Sequence, residues 1–332
     1  MAIATLPKQG ILLIALGAIL FVACICSLMF GVRSISGADA LHALFGYANT
    51  AEEAAAMKRI PRTVLGMVIG AALAVSGTTL QAVTRNPLAD PGIFGVLSGA
   101  SLAVVIGIAF FGLSAAVPTM AVAVFGAAIA AVFVYVVGSL GGTTPLKLAL
   151  AGAATAAALS SMVSAVLLPR VQVMDSFRFW QIGGIGGADW VRITLAAPAL
   201  VAGVLICGAC ARGLNALALG DDIATGLGEN VLRTRLVASA GAVILCGVAT
   251  ALAGPIAFVG LIIPHLCRLI VGTDHRWLIP TSAVAGAALL LFADTAGRVI
   301  TRPGEIAVGI IMPLLGAPLF IWIIRRQKAR EL

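Results

Sequence analysis

Long apolar runs of 15 to 23 residues make up most of this chain, and short polar segments separate them. A helix needs about 20 apolar residues to cross the hydrocarbon core of a bilayer. The runs do not alternate polar and apolar residues, which favours helices over a transmembrane barrel. The sequence therefore predicts an all-α integral membrane protein in which residues 1–332 form one transmembrane domain.

About ten transmembrane helices are expected from these runs. The seventh and eighth runs are separated by Gly254-Pro255, which breaks a helix, and nine or eleven spans remain alternatives. The predicted spans are 11–30, 63–83, 93–112, 118–140, 148–168, 192–211, 235–254, 256–270, 279–297 and 306–324.

Charged residues make up only 10% of the 332 residues, and apolar residues make up 61%. A soluble domain carries about 25% charged residues, so a water-soluble fold is excluded. The net charge of +8 does not indicate nucleic-acid binding, because the basic residues lie in short segments between the apolar runs. Membrane topology is the better explanation of the positive charge.

Basic residues follow the last predicted span immediately, at Arg325, Arg326, Lys328 and Arg330. Cytoplasmic segments of membrane proteins carry an excess of Lys and Arg, so the C-terminus is predicted to be cytoplasmic. Ten spans then place the N-terminus on the same side. Under this arrangement 12 of the 21 lysines and arginines lie inside and 9 lie outside. The bias is weak, and the outside charges require an explanation of their own.

Motifs for catalysis or nucleotide binding are absent from the sequence. It has no G-x-x-x-x-G-K-[ST] loop for nucleotide phosphates, no Ser/His/Asp arrangement and no H-E-x-x-H. Cys207 and Cys210 form a C-x-x-C, but no second pair or histidine stands at metal-ligand spacing. We therefore predict no catalytic residue, no metal site and no cofactor bound by this chain.

Ionisable residues are rare in the predicted spans, and Asp294 is the one that comes closest to the interior. Asp294 lies four positions before Arg298, a spacing that indicates an ion pair at a helix end. An ion-coupled transporter usually holds ionisable groups inside the bilayer to bind its coupling ion. The pattern therefore favours a conduit with an external energy source, and an ion-coupled secondary transporter is the rival interpretation.

Two of the longer connections between spans have patterns that predict local structure. The first predicts a short interfacial helix at about 174–182, on the outer side, with Phe177 and Trp180 at headgroup level. The second, at about 215–232, predicts a charged helix-turn-helix on the cytoplasmic side. Its pattern is compatible with an amphipathic connector on the membrane surface and with a docking platform for a cytoplasmic partner.

Several segments, occurring together and in order, resemble the FecCD family of permeases. These permeases are the membrane subunits of type II ABC importers for iron-siderophore complexes, haem and cobalamin. The resemblance covers residues 10–326. The segments that carry it are Arg59-Ile60-Pro61-Arg62, Gln81–Gly92, Ser98-Gly99-Ala100, Phe177–Trp180, Leu219-Gly220-Asp221, Gly254–His265, Gly272–Arg276 and Gly316-Ala317-Pro318.

The resemblance implies a type II ABC importer permease fold in the bacterial cytoplasmic (inner) membrane. Two permease copies, identical or related, then form one path, and a pair of ABC ATPase subunits binds ATP and Mg below them. A periplasmic or lipid-anchored substrate-binding protein delivers the cargo from outside. The chain is then not an enzyme, because ATP hydrolysis belongs to a separate subunit, and nucleic acid is not a partner.

The resemblance also assigns roles to individual residues. In such permeases the connection between spans six and seven docks on the ATPase, outward-facing arginines receive acidic residues of the binding protein, and spans five and ten line the path. The implied ATPase-docking residues are Leu219, Gly220, Asp221, Asp222, Ile223, Leu227 and Glu229. The implied binding-protein docking residues are Arg59, Arg62 and Arg298, assisted by Lys58 and Arg302. The implied gate and pathway residues are Arg85, Asn86, Pro87, Thr143, Thr144, Thr155, Ser160, Ser164 and Met312.

The expected cargo follows from a finer resemblance. The segments Leu291–Asp294, Gly297–Ile300 and Asp274–Trp277 are most similar to ferric-siderophore permeases of the catecholate (enterobactin) kind. An iron-siderophore complex is therefore the expected cargo, with haem and cobalamin as alternatives. Because the spans offer no charged ligand that could distinguish these cargoes, selectivity is expected to lie in the binding protein.

Overall fold

The computed structural model describes residues 8–140 and 144–328, without the side chains of residues 91, 93, 145 and 322–328. The described residues fold into fourteen α-helices and one 3-10 turn, Pro91–Phe94, and contain no strand, which confirms the predicted all-α class. The helices are α1 Lys8–Met29, α2 Gly37–Leu44, α3 Ala51–Thr84, α4 Val96–Phe111, α5 Ala116–Ser139, α6 Pro145–Leu167, α7 Val171–Ile182, α8 Trp190–Ala209, α9 Ala211–Ala218, α10 Asp221–Gly226, α11 Val231–Ala253, α12 Val259–Val271, α13 His275–Ile300 and α14 Val308–Lys328.

Each of the ten predicted spans coincides with one of these helices. Within the described residues, seven helices are long and apolar enough to cross a membrane, namely α1, α3, α5, α6, α8, α11 and α13. The shorter apolar helices α4, α12 and α14 occupy the third, eighth and tenth predicted spans. The break predicted at Gly254-Pro255 is confirmed, because α11 ends at Ala253 and α12 begins at Val259.

The 34-residue helix α3 lies at the centre of the bundle. It begins with a capping box, in which the Thr50 hydroxyl accepts from the Glu53 N–H and the Glu53 carboxylate accepts from the Thr50 N–H. In the most apolar stretch of α3, 78% of the residues are buried inside the protein, whereas the corresponding share in α1 is 11%. Helix α1 therefore lies at the edge, and side chains such as Phe21 face outward.

Small residues let α3 approach its neighbours closely. A Cβ atom at Gly77 would lie 1.9 Å from the carbonyl oxygen of Gly260 in α12. One at Gly70 would lie 2.3 Å from the carbonyl oxygen of Gly286 in α13. Contacts of this kind are typical of packing between membrane helices. They fix the position of α3 relative to α12 and α13.

Helix α7 occupies the segment predicted to form an interfacial helix. The side chain of Phe177 is completely buried and stacks on Trp180 with ring centroids 5.7 Å apart, so Phe177 packs inside the protein and does not face lipid. Phe179, which is 84% exposed, is the aromatic residue that faces outward. Residues two positions apart point about 200° apart around a helix, so Phe177 and Phe179 cannot share a surface.

Candidate functional sites at the two ends of the bundle

Both ends of α3 carry residues with predicted functions. Arg59 and Arg62 lie near its beginning, and Arg85 caps its end. At 1.5 Å per residue, Arg62 and Arg85 are about 35 Å apart along the helix axis. This length slightly exceeds the hydrocarbon core of a bilayer, which is about 30 Å thick. The two groups of residues therefore lie at opposite ends of the bundle, which we term the Arg62 end and the Arg85 end.

A network of buried charges occupies the Arg62 end. Arg62 donates from Nε and Nη2 to the Asp294 carboxylate, with a shortest distance of 2.8 Å, and from Nη1 to Glu305, also at 2.8 Å. The Nε atom of Arg298 lies 3.0 Å from the other Asp294 oxygen. The predicted ion pair between Asp294 and Arg298 is thus confirmed. Two arginines face two carboxylates in this network, so their charges balance.

Arg298, one of the predicted binding-protein docking residues, is enclosed within the bundle. Its side chain is 1% exposed. It donates to the carbonyl oxygen and the hydroxyl of Ser27 and to the hydroxyl of Thr295. A buried guanidinium requires such partners, because removing an unpaired charge from water costs several kcal/mol. Arg298 therefore joins α13 to α1 and does not form part of a docking surface here.

Arg59 is also engaged within the protein. Its Nη1 atom donates to the carbonyl oxygens of Leu28 and Met29, and its Nη2 atom donates to that of Arg33. The last carbonyl groups of a helix lack intrahelical partners and attract cations. Arg59 thus holds the end of α1 and the following loop against α3.

We term three of the exposed basic side chains at the Arg62 end the cationic surface: Arg33, Lys58 and Arg302. Arg302 donates from Nε to the carbonyl oxygen of Gly31 at 2.7 Å. Arg33 lies in the same loop, and its carbonyl oxygen accepts a hydrogen bond from Arg59. The loop after α1 is therefore bound by both Arg59 and Arg302. An acidic partner could reach this surface without displacing the buried network.

At the Arg85 end, the first predicted helix of the charged connection is present as α10, whereas its helical neighbour in the connection is α9, which precedes α10 instead of following it. Gly220 joins the two helices with a φ of 116°, a conformation that residues with a Cβ rarely adopt. Leu219, Ile223 and Leu227 follow each other at intervals of four and are 57%, 54% and 67% exposed. An exposed apolar row on a polar connection indicates a surface that a partner covers.

Asp221, one of the predicted docking residues, is occupied by arginines of its own chain. Its Oδ1 atom accepts from Nη2 of Arg235 at 2.8 Å and forms an ion pair with Arg85. Arg235 is buried, whereas Arg85 and Asp221 are partly exposed. The side chain of Asp221 therefore connects α10 to the ends of α3 and α11.

The other two acidic residues predicted to dock differ from each other. Glu229 accepts a hydrogen bond from the Thr234 hydroxyl, which holds the segment before α11. Asp222 is exposed and, among the described residues, takes part in no ion pair. Asp222 is therefore the carboxylate that this structure presents to a partner.

The predicted gate loop begins where α3 ends. Arg85 adopts the left-handed conformation, with φ 48° and ψ 31°, and turns the chain out of the helix. Its Nε atom donates to the carbonyl oxygen of Leu217 at 2.7 Å. The Asn86 side chain accepts from the N–H of Leu88 across Pro87. The loop is thus shaped by its own side chains and anchored to the end of α9.

The second predicted gate segment precedes α6. The Thr144 hydroxyl caps this helix by accepting from the N–H of Lys147 at 3.3 Å. Thr143 lies outside the described residues. A cap at Thr144 stabilises the first turn of α6.

The predicted pathway residues divide into exposed and buried groups. Ser160 and Ser164 of α6 are exposed, and the Ser164 hydroxyl donates to the Ser160 carbonyl oxygen. Thr155 is buried and donates to Ala151, and Met312 of α14 is 1% exposed. Met312 is thus enclosed in the bundle, whereas Thr155 borders a cavity between α4, α5 and α6. Hydroxyls bonded to their own helix leave α6 with a weakly polar, uncharged face.

Two residues of the charge networks, Glu305 and Arg235, are missing from the sequence-based prediction. Glu305 lies 243 positions from Arg62, and no local pattern links them. Arg235 begins the seventh predicted span, 14 positions after Asp221. A charged residue within a span usually has a buried partner. That signal could have identified Arg235.

Metal binding finds no support in the part of the chain that the structure describes. No group of three or more His, Cys, Asp or Glu side chains lies close enough to hold a metal ion there. The six cysteines are free thiols, and Cys207 of the C-x-x-C is buried. The polar side chains at both ends of the bundle instead form ion pairs and hydrogen bonds.

Comparisons with known proteins match this chain to a family of transport proteins. The model of the FecCD transport family matches residues 19–326. The ferric enterobactin transport system permease protein FepD of Escherichia coli (strain K12) is 43% identical over 316 residues, which are 93% of each chain. The iron(3+)-hydroxamate import system permease protein FhuB of Bacillus subtilis (strain 168) is 41% identical over 323 residues, which are 96% of this chain and 82% of that protein.

A solved structure, described as an inward-facing conformation of a metal-chelate type ABC transporter, has the same fold. It matches with a TM-score of 0.84 at 28% identity, covering 96% of this chain and 99% of that chain. The helical bundle is thus an ABC transporter permease, a multi-pass membrane subunit without enzymatic function. Since the family model spans nearly the whole length, the chain belongs to the FecCD transport family.

Proposed function

We propose that this chain is the permease subunit of a binding-protein-dependent ABC importer that moves an iron-siderophore complex across the bacterial cytoplasmic membrane. The observation that carries the proposal is the FecCD family match together with two relatives named for ferric enterobactin and iron(3+)-hydroxamate transport. Both are more than 40% identical to this chain over most of its length. The chain guides cargo and binds no cofactor of its own.

A topology of ten spans with both termini in the cytoplasm fits the helices best. Helices α4 and α12 contain 16 and 13 residues, about 24 and 20 Å in length. They cross the core together with the adjoining 3-10 turn and residues 254–258. Irregular backbone at membrane depth is tolerated where protein encloses it, as it largely does at residues 254–258.

The Arg85 end then faces the cytoplasm and binds the ATPase pair. The exposed row of Leu219, Ile223 and Leu227 supplies apolar contact area, and Asp222 supplies a charge. ATP and Mg bind to the ATPase subunits. A second permease copy, identical or related, packs against this one, and the hydroxyl-lined face of α6 borders the path between them.

The Arg62 end faces outward and receives the substrate-binding protein. The cationic surface of Arg33, Lys58 and Arg302 offers exposed positive charge, and the Nη1 edge of Arg62 lies beside it. Acidic residues on the binding protein would meet this surface, which accelerates association and fixes orientation. Arg298 and Arg59 act by holding α1, α3 and α13 in place beneath it.

Transport follows from alternating access between these two ends. Binding and hydrolysis of ATP move α9 and α10, and the loops at Arg85–Pro87 and Thr143–Thr144 open or close the inner side of the path. A bulky chelate passes along the weakly polar α6 without meeting a charged ligand that would retain it. No covalent bond in the cargo is made or broken by this chain.

Reconstitution tests the proposed function. The chain is co-expressed with its ATPase subunits, placed in proteoliposomes, and supplied with its binding protein loaded with ferric enterobactin, haem or cobalamin. We expect uptake of ferric enterobactin that requires ATP and persists when an ionophore collapses ion gradients. Uptake driven by an ion gradient without ATP would instead establish a secondary transporter. Uptake of haem or cobalamin but not of ferric enterobactin would overturn the cargo assignment alone.

A further inference from the structure

We propose that Asp221 links the ATPase-docking helix to the gate loop and does not itself contact the ATPase. The inference rests on the proposed function, because it requires an ATPase that binds α9 and α10. Asp221 is the first residue of α10, and its carboxylate joins two arginines that begin or end membrane-spanning helices.

The guanidinium of Arg85 contacts both helices of the docking segment, α9 and α10. Its Nη2 atom pairs with the Asp221 carboxylate, and its Nε atom donates to the carbonyl oxygen of Leu217 in α9 at 2.7 Å. Leu217 and Asp221 stand on either side of the glycine that joins α9 to α10. The side chain of Arg85 therefore spans the joint of the helix-turn-helix.

Arg235 also binds the Asp221 carboxylate and connects it to α11. Arg235 lies in the second turn of α11 and is 3% exposed, and its Nη2 atom lies 2.8 Å from Asp221 Oδ1. A buried guanidinium holds its carboxylate more firmly than an exposed one, because the surroundings screen the charges less. Asp221 is thus drawn inward, while Asp222, the next residue, is exposed.

This arrangement gives a route for force between the ATPase and the path. Arg85 is the residue at which α3 ends and the predicted gate loop begins. Helix α3 is held by close backbone contacts at Gly70 and Gly77 and by the Gln81 side chain, which donates to the carbonyl oxygens of Gly260 and Leu261. The loop that begins at Arg85 is therefore the part that can follow α10. A displacement of α10 therefore pulls on the gate loop through one ion pair and on α11 through the other.

The experiment breaks the link to α3 and leaves the buried pair intact. Arg85→Gln removes the charge that binds Asp221 but keeps the Asp221–Arg235 pair. Asp222→Asn, one position away, is the matched control for ATPase docking. Both variants are purified as the full complex with its ATPase subunits and reconstituted with the binding protein and ferric enterobactin. Two quantities are measured, the ATPase retained per permease and the cargo taken up per ATP hydrolysed.

We expect Arg85→Gln to retain the ATPase at the wild-type ratio and to lower cargo per ATP by about fivefold or more, the usual range for coupling between sites. Asp222→Asn should lower ATPase retention, the effect expected of a residue that contacts the ATPase. Arg85→Lys, which keeps a cation at the position, should restore part of the lost coupling.

A double variant guards against a purely structural explanation. Residues that act through one shared contact give non-additive effects, so Asp221→Asn combined with Arg85→Gln should reduce cargo per ATP no further than the stronger single variant. Normal cargo per ATP in Arg85→Gln, or additive losses in the double variant, would overturn the link. If Arg85→Gln lost as much bound ATPase as Asp222→Asn, the Asp221–Arg85 pair would serve ATPase docking, and the link to the gate loop would be overturned. Failure of the ATPase to bind the unaltered permease would contradict the proposed function itself.

Discussion

Arg62 and Asp294 form an ion pair across 232 positions of the chain, with Nη2 of Arg62 2.8 Å from Oδ1 of Asp294. The pair joins α3 to α13, and Arg298 adds a second guanidinium to the same carboxylate. Charged groups persist inside a membrane protein only when they are paired. The primary role of this network is therefore to hold α1, α3 and α13 together beneath the cationic surface.

Replacing Asp294 with Asn should destabilise the protein strongly. The change leaves Arg298, which is buried, without a carboxylate partner, and Arg62 keeps only Glu305. Removing one member of a buried ion pair costs about 3 kcal/mol or more. We expect a marked fall in the unfolding temperature of the detergent-solubilised protein, measured by intrinsic fluorescence.

Asp175→Asn is the control for Asp294→Asn. Asp175 also pairs with an arginine, Arg178, but both side chains are more than 60% exposed. Exposed pairs contribute about 0–1 kcal/mol, so the unfolding temperature should hardly change. Equal shifts for the two variants would show that the buried network has no special role.

A methyl group at Gly77 should prevent the native packing of α3 on α12. The added Cβ atom would meet the Gly260 carbonyl oxygen at 1.9 Å, and neither backbone can move without displacing a helix. We expect Gly77→Ala to reduce the yield of monodisperse protein in size-exclusion chromatography. Gly17→Ala, in the peripheral helix α1 with no atom within 4 Å of the new methyl group, should behave like the unaltered protein. A monodisperse Gly77→Ala protein of normal yield would contradict this close contact.

The positions of the apolar helices could be predicted from the sequence because each is a long apolar run whose ends are polar. The direction in which individual side chains point could not. Arg298 and Asp221 lie at the polar ends of apolar runs, yet each binds a partner on another helix, Ser27 for Arg298 and Arg235 for Asp221. Asp221 and Arg85 are 136 positions apart, so no local spacing reveals their contact. The pair Asp294–Arg298 could be predicted, because four positions along a helix bring side chains together.

Stability should depend on pH through Asp274, which caps the first turn of α13. The hydrogen bond from the Arg276 guanidinium, with others from the Arg276 N–H and the Asn215 amide, lowers the pKa of Asp274 from 3.8 to about 2. A lowered pKa in the folded state stabilises the protein above the unfolded-state pKa, and this contribution disappears as the pH falls from about 4 to about 2.

Asp274→Asn isolates this charge, because Asn is an equally good helix cap. The unaltered protein should have the higher unfolding temperature at pH 7, and the difference between the two proteins should shrink between pH 4 and pH 2. The measurement is thermal unfolding in an acid-stable detergent across this range. A difference that stays constant with pH would exclude the Asp274 carboxylate as its source.

Glu305 should compete with the substrate-binding protein for Arg62. Its carboxylate occupies the outward Nη1 edge of Arg62 at 2.8 Å and is 40% exposed, so it stands where an acidic residue of a partner would bind. Replacing it with Gln vacates this edge, while Asp294 still holds the guanidinium from behind. An exposed pair contributes up to about 1 kcal/mol, so Glu305→Gln should tighten binding of the loaded binding protein about two- to fivefold. Binding to the permease complex in nanodiscs, measured by surface plasmon resonance, gives the dissociation constant.

The matched control for Glu305→Gln is Glu52→Gln, which removes one exposed acid from the same end of α3 without vacating an arginine. Loss of any negative charge near the cationic surface accelerates association, but higher salt screens such a general effect. The control variant should therefore lose its advantage as the salt concentration rises. Glu305→Gln should retain part of its gain, because the vacated Nη1 edge donates a direct hydrogen bond to a carboxylate of the binding protein. Equal affinities for the two variants at high salt would mean that Arg62 meets no acidic residue of the binding protein, and the docking surface would then consist of Arg33, Lys58 and Arg302 alone.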